Sequence, residues 1–157
     1  MTKIAIVQHP PVLADRDATL DKAVALIEEA AAAGAGLIML PEAFVPGYPT
    51  WIWRLRPGGD GKLSGEIHAL LAANAVDIAA GHLAPICEAA KRLAVTVFCG
   101  LNELDPANSQ ATLFNSYVHI DDQGCIVNLH RKLMPTNPER MVWGLGDASG
   151  LRAVQTP

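Results

Sequence analysis

Apolar residues in this chain fall either in short unbroken runs or at helical spacing, and the two patterns alternate. Ile4, Ala5, Ile6 and Val7 form a first run, closed by His9-Pro10-Pro11, as expected of a strand buried on both faces whose ladder ends at prolines. Leu20, Ala23, Val24, Ile27, Ala30 and Ala31 then recur with the period of a helix. Asp15, Asp17 and Thr19 are its candidate caps and Gly34 its stop. Residues 37–40 read as a second buried strand, so strand, helix and strand predict a parallel pair joined by a crossover.

The pattern breaks over residues 41–60, where Pro41, Pro46, Pro49 and Pro57 mix with Gly47, Gly58 and Gly59 and with the aromatics Phe44, Tyr48, Trp51 and Trp53. This composition predicts a long, shaped loop of the kind that often carries function. Helical spacing resumes through Ile67, Leu70 and Leu71, and again through Ile86, Ala89, Ala90 and Leu93. In the second of these helices Pro85 suits the first turn, and Lys91 and Arg92 suit the last, where cations complement the helix dipole. Residues 95–99 form a third strand, apolar and β-branched, ended by Gly100. Residues 113–120 and 125–129 flank Asp121-Asp122-Gln123-Gly124 as a hairpin. Helices alternating with buried strands define an α/β fold, and the absence of repeats or linkers makes residues 1–157 one unit.

Composition narrows the possible partners. With 12 basic and 16 acidic residues the net charge is −4, so no positive field exists to hold a phosphate backbone, and nucleic acid is not expected as a partner. Half of the residues are hydrophobic, yet the most apolar stretch, residues 30–40, contains Gly34 and Gly36 and is shorter than the roughly 20 residues that span a bilayer. No membrane association is expected, and without a leader-like apolar region at the start the expected location is cytoplasmic. Cys87, Cys99 and Cys125 are odd in number and far apart, and the five histidines show no ligand spacing. Neither a disulfide, a metal nor a cofactor is implied.

Two strand ends carry candidate chemistry. Glu42 follows the second strand, where open α/β sheets place their ligand sites. Among apolar neighbours it suits a general base, although position alone also fits a loop carboxylate accepting backbone amides. Lys132 follows the hairpin. It is either a solvated surface cation or, facing the same cleft, a group that stabilises negative charge developing on a substrate. Glu139 is either its orienting partner or an exposed loop acid.

Taken together these segments carry a resemblance. Pro41-Glu42-Ala43-Phe44-Val45-Pro46-Gly47-Tyr48-Pro49, then His130-Arg131-Lys132-Leu133-Met134-Pro135-Thr136, then Glu139-Arg140 and Trp143-Gly144-Leu145-Gly146-Asp147 resemble the nitrilase branch of the carbon-nitrogen hydrolase superfamily. Gly100-Leu101-Asn102-Glu103 and Leu113-Phe114-Asn115-Ser116 fall where that family has similar motifs, and the resemblance runs from Lys3 onward. It implies an α-β-β-α sandwich, incomplete in this chain. It also implies a triad of glutamate, lysine and cysteine in which Glu42 matches the base, Lys132 the lysine that stabilises the tetrahedral intermediate and Glu139 a supporting second glutamate.

The family's cysteine lies beyond the Trp-Gly-x-Gly-Asp segment in a Cys-Trp-Glu-like motif, and the chain closes at Thr156-Pro157 before one. Cys99 in a strand and Cys87 in a helix read as small buried hydrophobes, and Cys125 beside a turn is out of the family position, so no nucleophile is assigned. The implied whole is the N-terminal part of a homo-oligomeric nitrilase that turns a small-molecule nitrile into a carboxylate and ammonia through a thioimidate and a thioester. An amidase or cyanide-degrading relative uses the same residues. A short protein that oligomerises or binds small molecules without turnover is the non-enzymatic alternative. Tyr48 and Trp53 are candidate substrate-binding residues, with core or interface packing as their other role.

Overall fold

The computed structural model describes residues 2–56, 58–107 and 109–156, so Met1, Pro57, Asn108 and Pro157 lie outside the description. Strand β1 (Ile4–Ile6) leads through helix α1 (Arg16–Ala32) to β2 (Leu37–Met39), and the two strands pair in parallel as their run-helix-run pattern requires. Asp15 caps α1 by accepting from the Ala18 amide at 3.0 Å. Of the other two candidates, Asp17 pairs with Arg16 at 2.8 Å, and Thr19 is buried and ties Val12 to the helix through its hydroxyl. Gly34 follows the last turn with φ +86°, the left-handed conformation that a stop at this point needs.

Beyond the loop, α2 (Gly61–Ala73) and α3 (Ala84–Leu93) precede the three longest strands, β3 (Thr96–Leu104), β4 (Leu113–Ile120) and β5 (Ile126–Arg131). The sheet has five strands in the order β1-β2-β3-β4-β5, parallel through β3 and antiparallel from there. At the β4–β5 turn Asp121 Oδ1 accepts from the amides of Gln123 and Cys125, and Gly124 takes φ +76°.

Two expectations are corrected. Strand β3 does not stop at Gly100 but continues to Leu104. The glycine is there because a Cβ would lie 2.2 Å from the Pro41 carbonyl oxygen and 2.8 Å from Glu42 Cα. It is a close-approach glycine inside a strand rather than a strand end. The extension makes β3 and β4 a second antiparallel pair, registered from Val97 opposite Ile120 to Leu104 opposite Leu113. Strand β1 is also not buried on both faces. Ile4 and Ile6 are 57% and 73% exposed, because β1 is an edge strand and helices cover one side of it only.

That covered side holds the main core. Leu20, Ala23 and Ile27 of α1 and Ile86, Ala89 and Ala90 of α3 pack on Ile38, Val97, Cys99, Leu101, Val118 and Ile120 of the sheet. A second cluster joins Ala43 and Ile52 of the loop to Leu71, Leu113, Val142 and Trp143, with Tyr48 and Trp51 against it. It anchors the loop over the ends of β3 and β4, the region from which the candidate residues project.

Candidate active site

The loop after β2 is held on β3 by its backbone. The Val45 amide donates to Gly100 O at 3.2 Å, the Asn102 amide donates to Val45 O at 2.8 Å, and the Asn102 side chain donates to Val45 O and Gly47 O at 3.2 and 3.0 Å. Ala43 takes φ +49°, a conformation that costs a non-glycine residue about 1 kcal/mol. With the backbone fixed on both sides of it, Glu42 stands at the end of β2 with its side chain 53% exposed.

Lys132 approaches from the other side. Its amide donates to Asn115 O at 2.8 Å and its carbonyl accepts from the Gly146 amide at 3.0 Å, so the residue after β5 is pinned to β4 and to the segment that follows Trp143. The side chain then reaches Glu42 Oε1 and Glu139 Oε2, both at 2.9 Å. The Trp143 ring lies 5.9 Å from Nζ, and its indole N–H is bonded to Asn102 Oδ1 at 2.9 Å.

Glu139 is 4% exposed and sits in the short helical turn Asn137–Met141, where it completes a capping box with Thr136. Its Oε2 accepts from the Thr136 amide at 2.6 Å as well as from Lys132, and its Oε1 accepts from the Tyr48 hydroxyl at 2.7 Å. Burial alone would raise this carboxyl's pKa, but the bonds from Lys132, Tyr48 and Thr136 outweigh it and hold the group below the ordinary carboxylate value. Burial likewise pulls Lys132 down, and the two carboxylates overcome it, leaving the ammonium above its usual value. Both members of the pair are therefore charged at neutral pH.

Glu42 differs from Glu139 in how its oxygens are used. Asn115 Nδ2 donates to Oε1 at 2.7 Å, so both of the carboxylate's hydrogen bonds among the described residues, to Asn115 and Lys132, fall on Oε1, and Glu42 lines an open cavity of about 410 Å³. The cavity is bounded by Gln8, Met39, Leu40, Pro41 and Tyr117, whose hydroxyl donates to Leu40 O at 2.9 Å. The cluster sets two carboxyl groups against one ammonium, and Glu42 Oε2 takes no hydrogen bond from the described residues. That arrangement can take a proton, and its ammonium can stabilise negative charge built next to it.

Of the residues singled out from sequence, Glu42, Lys132 and Glu139 come together in one hydrogen-bonded cluster, and Tyr48 joins it through Glu139. Trp53 stands at its outer edge. It is exposed and donates from Nε1 to the Tyr48 hydroxyl at 3.1 Å. Asn115 was given no role by sequence reasoning, although an asparagine inside a strand is a signal in its own right, since strands disfavour it. The cysteines stay apart from the cluster: Cys99 is fully buried in the core and burial pushes its thiol up to about 12, Cys87 is also raised by burial, and exposed Cys125 sits at the far end of β5 from Lys132.

Residues 3–157 match the carbon-nitrogen hydrolase family. The chain belongs to that family. Among curated proteins, a nitrilase from Pseudomonas syringae pv. syringae is 39% identical over 99% of this chain and 44% of its own length. An arylacetonitrilase from Aspergillus niger is 42% identical over 90% of this chain and 39% of its own length, and an aliphatic nitrilase from Sinorhizobium fredii is 36% identical over 100% and 50%. The chain thus spans half or less of these relatives. Among solved structures, the NitN amidase from Nesterenkonia sp. AN1 superposes with a TM-score of 0.65 at 18% identity, covering 94% of this chain and 50% of that one. The C. elegans NitFhit protein gives 0.61 at 21% identity, covering 87% and 30%. These likenesses concern the fold, which in this carbon-nitrogen hydrolase chain is a five-stranded mixed sheet with helices, in keeping with an incomplete α/β sandwich.

Proposed function

We propose that residues 1–157 form the N-terminal part of a nitrilase and supply the glutamate-lysine portion of its active site. The observation that carries this reading is the Lys132 ammonium bridging Glu42 and Glu139 at 2.9 Å each while Glu42 Oε2 takes no hydrogen bond from the described residues. Glu42 acts as general base and takes the proton of a cysteine thiol contributed by sequence outside residues 1–157. The thiolate adds to the nitrile carbon, and Lys132 stabilises the negative charge that the addition creates. The resulting thioimidate takes up water and expels ammonia. A second water then hydrolyses the thioester to the carboxylate and frees the thiol. Glu139, held by Thr136 and Tyr48, keeps Lys132 in place, and Tyr48 and Trp53 border the space that the substrate's side group occupies.

Support comes from the family, from nitrilase relatives at 36–42% identity and from the cluster's geometry. Among the described residues no helix is long and apolar enough to cross a membrane. A cytoplasmic, homo-oligomeric enzyme that needs no cofactor is part of the proposal. The full-length protein containing this chain should release ammonia and carboxylate in equal amounts from aryl, arylaceto or aliphatic nitriles. Turnover of amides with no nitrile consumed would favour an amidase, and formamide from cyanide a cyanide-degrading enzyme. A folded protein that turned over none of these would favour a binding role.

A further inference from the structure

Behind the site, on the opposite face of the same strand ends, lies a charge network that the proposed chemistry does not touch. Glu103 of β3 is 3% exposed. Its Oε2 accepts from Ser116 Oγ of β4 at 2.5 Å and from Arg131 Nε of β5 at 2.9 Å, and its Oε1 accepts from Arg131 Nη2. The same Nη2 donates to Asp105 Oδ2 at 2.7 Å, and the guanidinium lies 4.1 Å from the centroid of the Phe114 ring.

Strand alternation ties these residues to the site. Each is the chain neighbour of a residue facing the other way: Glu103 follows Asn102, Ser116 follows Asn115, and Arg131 precedes Lys132. Asn102 pairs across strands with Asn115, and Ser116 with Arg131. One face therefore carries Asn102, which holds the Glu42 loop, Asn115, which bonds to Glu42, and Lys132. The other face carries Glu103, whose carboxylate gathers donors from both of the other strands, with Asp105 just past β3 sharing the guanidinium.

We propose that the Glu103–Ser116–Arg131 network is a positioning device for Lys132 and Asn115, a two-pronged clamp that fixes the register of β3, β4 and β5 under the site. The inference rests on the function proposed above. A buried ion pair adds little net stability over an apolar cluster of similar volume, but a bidentate guanidinium-carboxylate pair restricts geometry closely. Lys132 needs that restriction, because a flexible four-carbon stem has to keep one nitrogen within bonding reach of two carboxylates on separate loops, and misplacement by about 1 Å is costly to catalysis.

The test compares the full-length wild-type enzyme with an apolar double variant, Glu103→Leu with Arg131→Met, and with Arg131→Lys, which keeps the charge but loses the fork. The clamp predicts that the folded double variant loses at least tenfold in kcat with KM changed less than threefold. It also predicts that the Glu139 carboxyl, followed by ¹³C NMR, titrates at higher pH as its lysine partner loosens. Wild-type kcat and wild-type Glu139 titration in that folded variant would overturn the proposal. If the double variant does not fold, the same two readouts on Arg131→Lys decide. A wild-type enzyme that hydrolysed neither nitrile nor amide would sink the functional reading alone, and the Glu139 titration would still judge the clamp.

Discussion

Two glutamates of the same chemical type are given different work by the atoms around them. Glu139 has both oxygens engaged by three donors, so its charge is stabilised and its basicity spent, whereas Glu42, which lines the cavity, has one oxygen without a donor among the described residues. The sign of the pH dependence follows. A carboxylate whose folded pKa is depressed contributes stability at neutral pH that is lost as pH falls through that folded value. Lys132, raised in the folded state, contributes stability that is lost only as pH rises past the usual lysine range. Tyr48→Phe removes one donor from Glu139, so the depressed pKa should move back up. The acid midpoint of thermal stability, measured across a pH series, should shift to higher pH, and an unchanged midpoint would mean that the phenol does not support the pair. Asn115→Ala, which takes a donor from Glu42 Oε1 but leaves Glu139 with all of its partners, should leave that midpoint in place while lowering kcat.

At the scale of elements, the parts that were legible in the sequence are those whose pattern is set locally. Helix α1 follows from its apolar spacing and Asp15 cap, α3 from Pro85 and its basic last turn, and the β4–β5 hairpin from Asp121 and Gly124. The end of β3 was not legible, because a glycine that permits close approach looks in sequence like a glycine that stops a strand. Its true role depends on Pro41 and Glu42, nearly sixty residues away. A matched pair of substitutions separates the two uses. Gly100→Ala pushes a methyl group into the Pro41–Ala43 backbone and should cost roughly 1–3 kcal/mol or more. Gly65→Ala, inside α2 with nothing within 4 Å, should stabilise by about 0.4–1 kcal/mol. Chemical denaturation of both variants checks this, and a neutral Gly100→Ala would mean that the Glu42 loop is not packed on β3 as described.

Across the whole molecule, α1 and α3 cover one face of the sheet and leave the other unequal. Ala5, Ile38, Val97 and Ile120 are turned into the core, while Ile6 in the next row is exposed and Met39 and Phe98 are half-buried. On the proposed reading, that second face is where the rest of the enzyme's sandwich packs, close to the cavity that Glu42 lines. The glutamate-lysine cluster was legible as three residues in motif order, but the roles of Asn115 and of the Glu103–Arg131 network were not. Their roles arise from strand register, which sequence pattern alone does not fix. The claim on which the account turns is that Glu42 is the working base. Glu42→Gln in the full-length enzyme, with folding confirmed by circular dichroism and nitrile turnover measured at saturating substrate, tests it directly. The account predicts a fall in kcat of about 10²–10⁴-fold. A folded Glu42→Gln enzyme retaining kcat within threefold of wild type would contradict it.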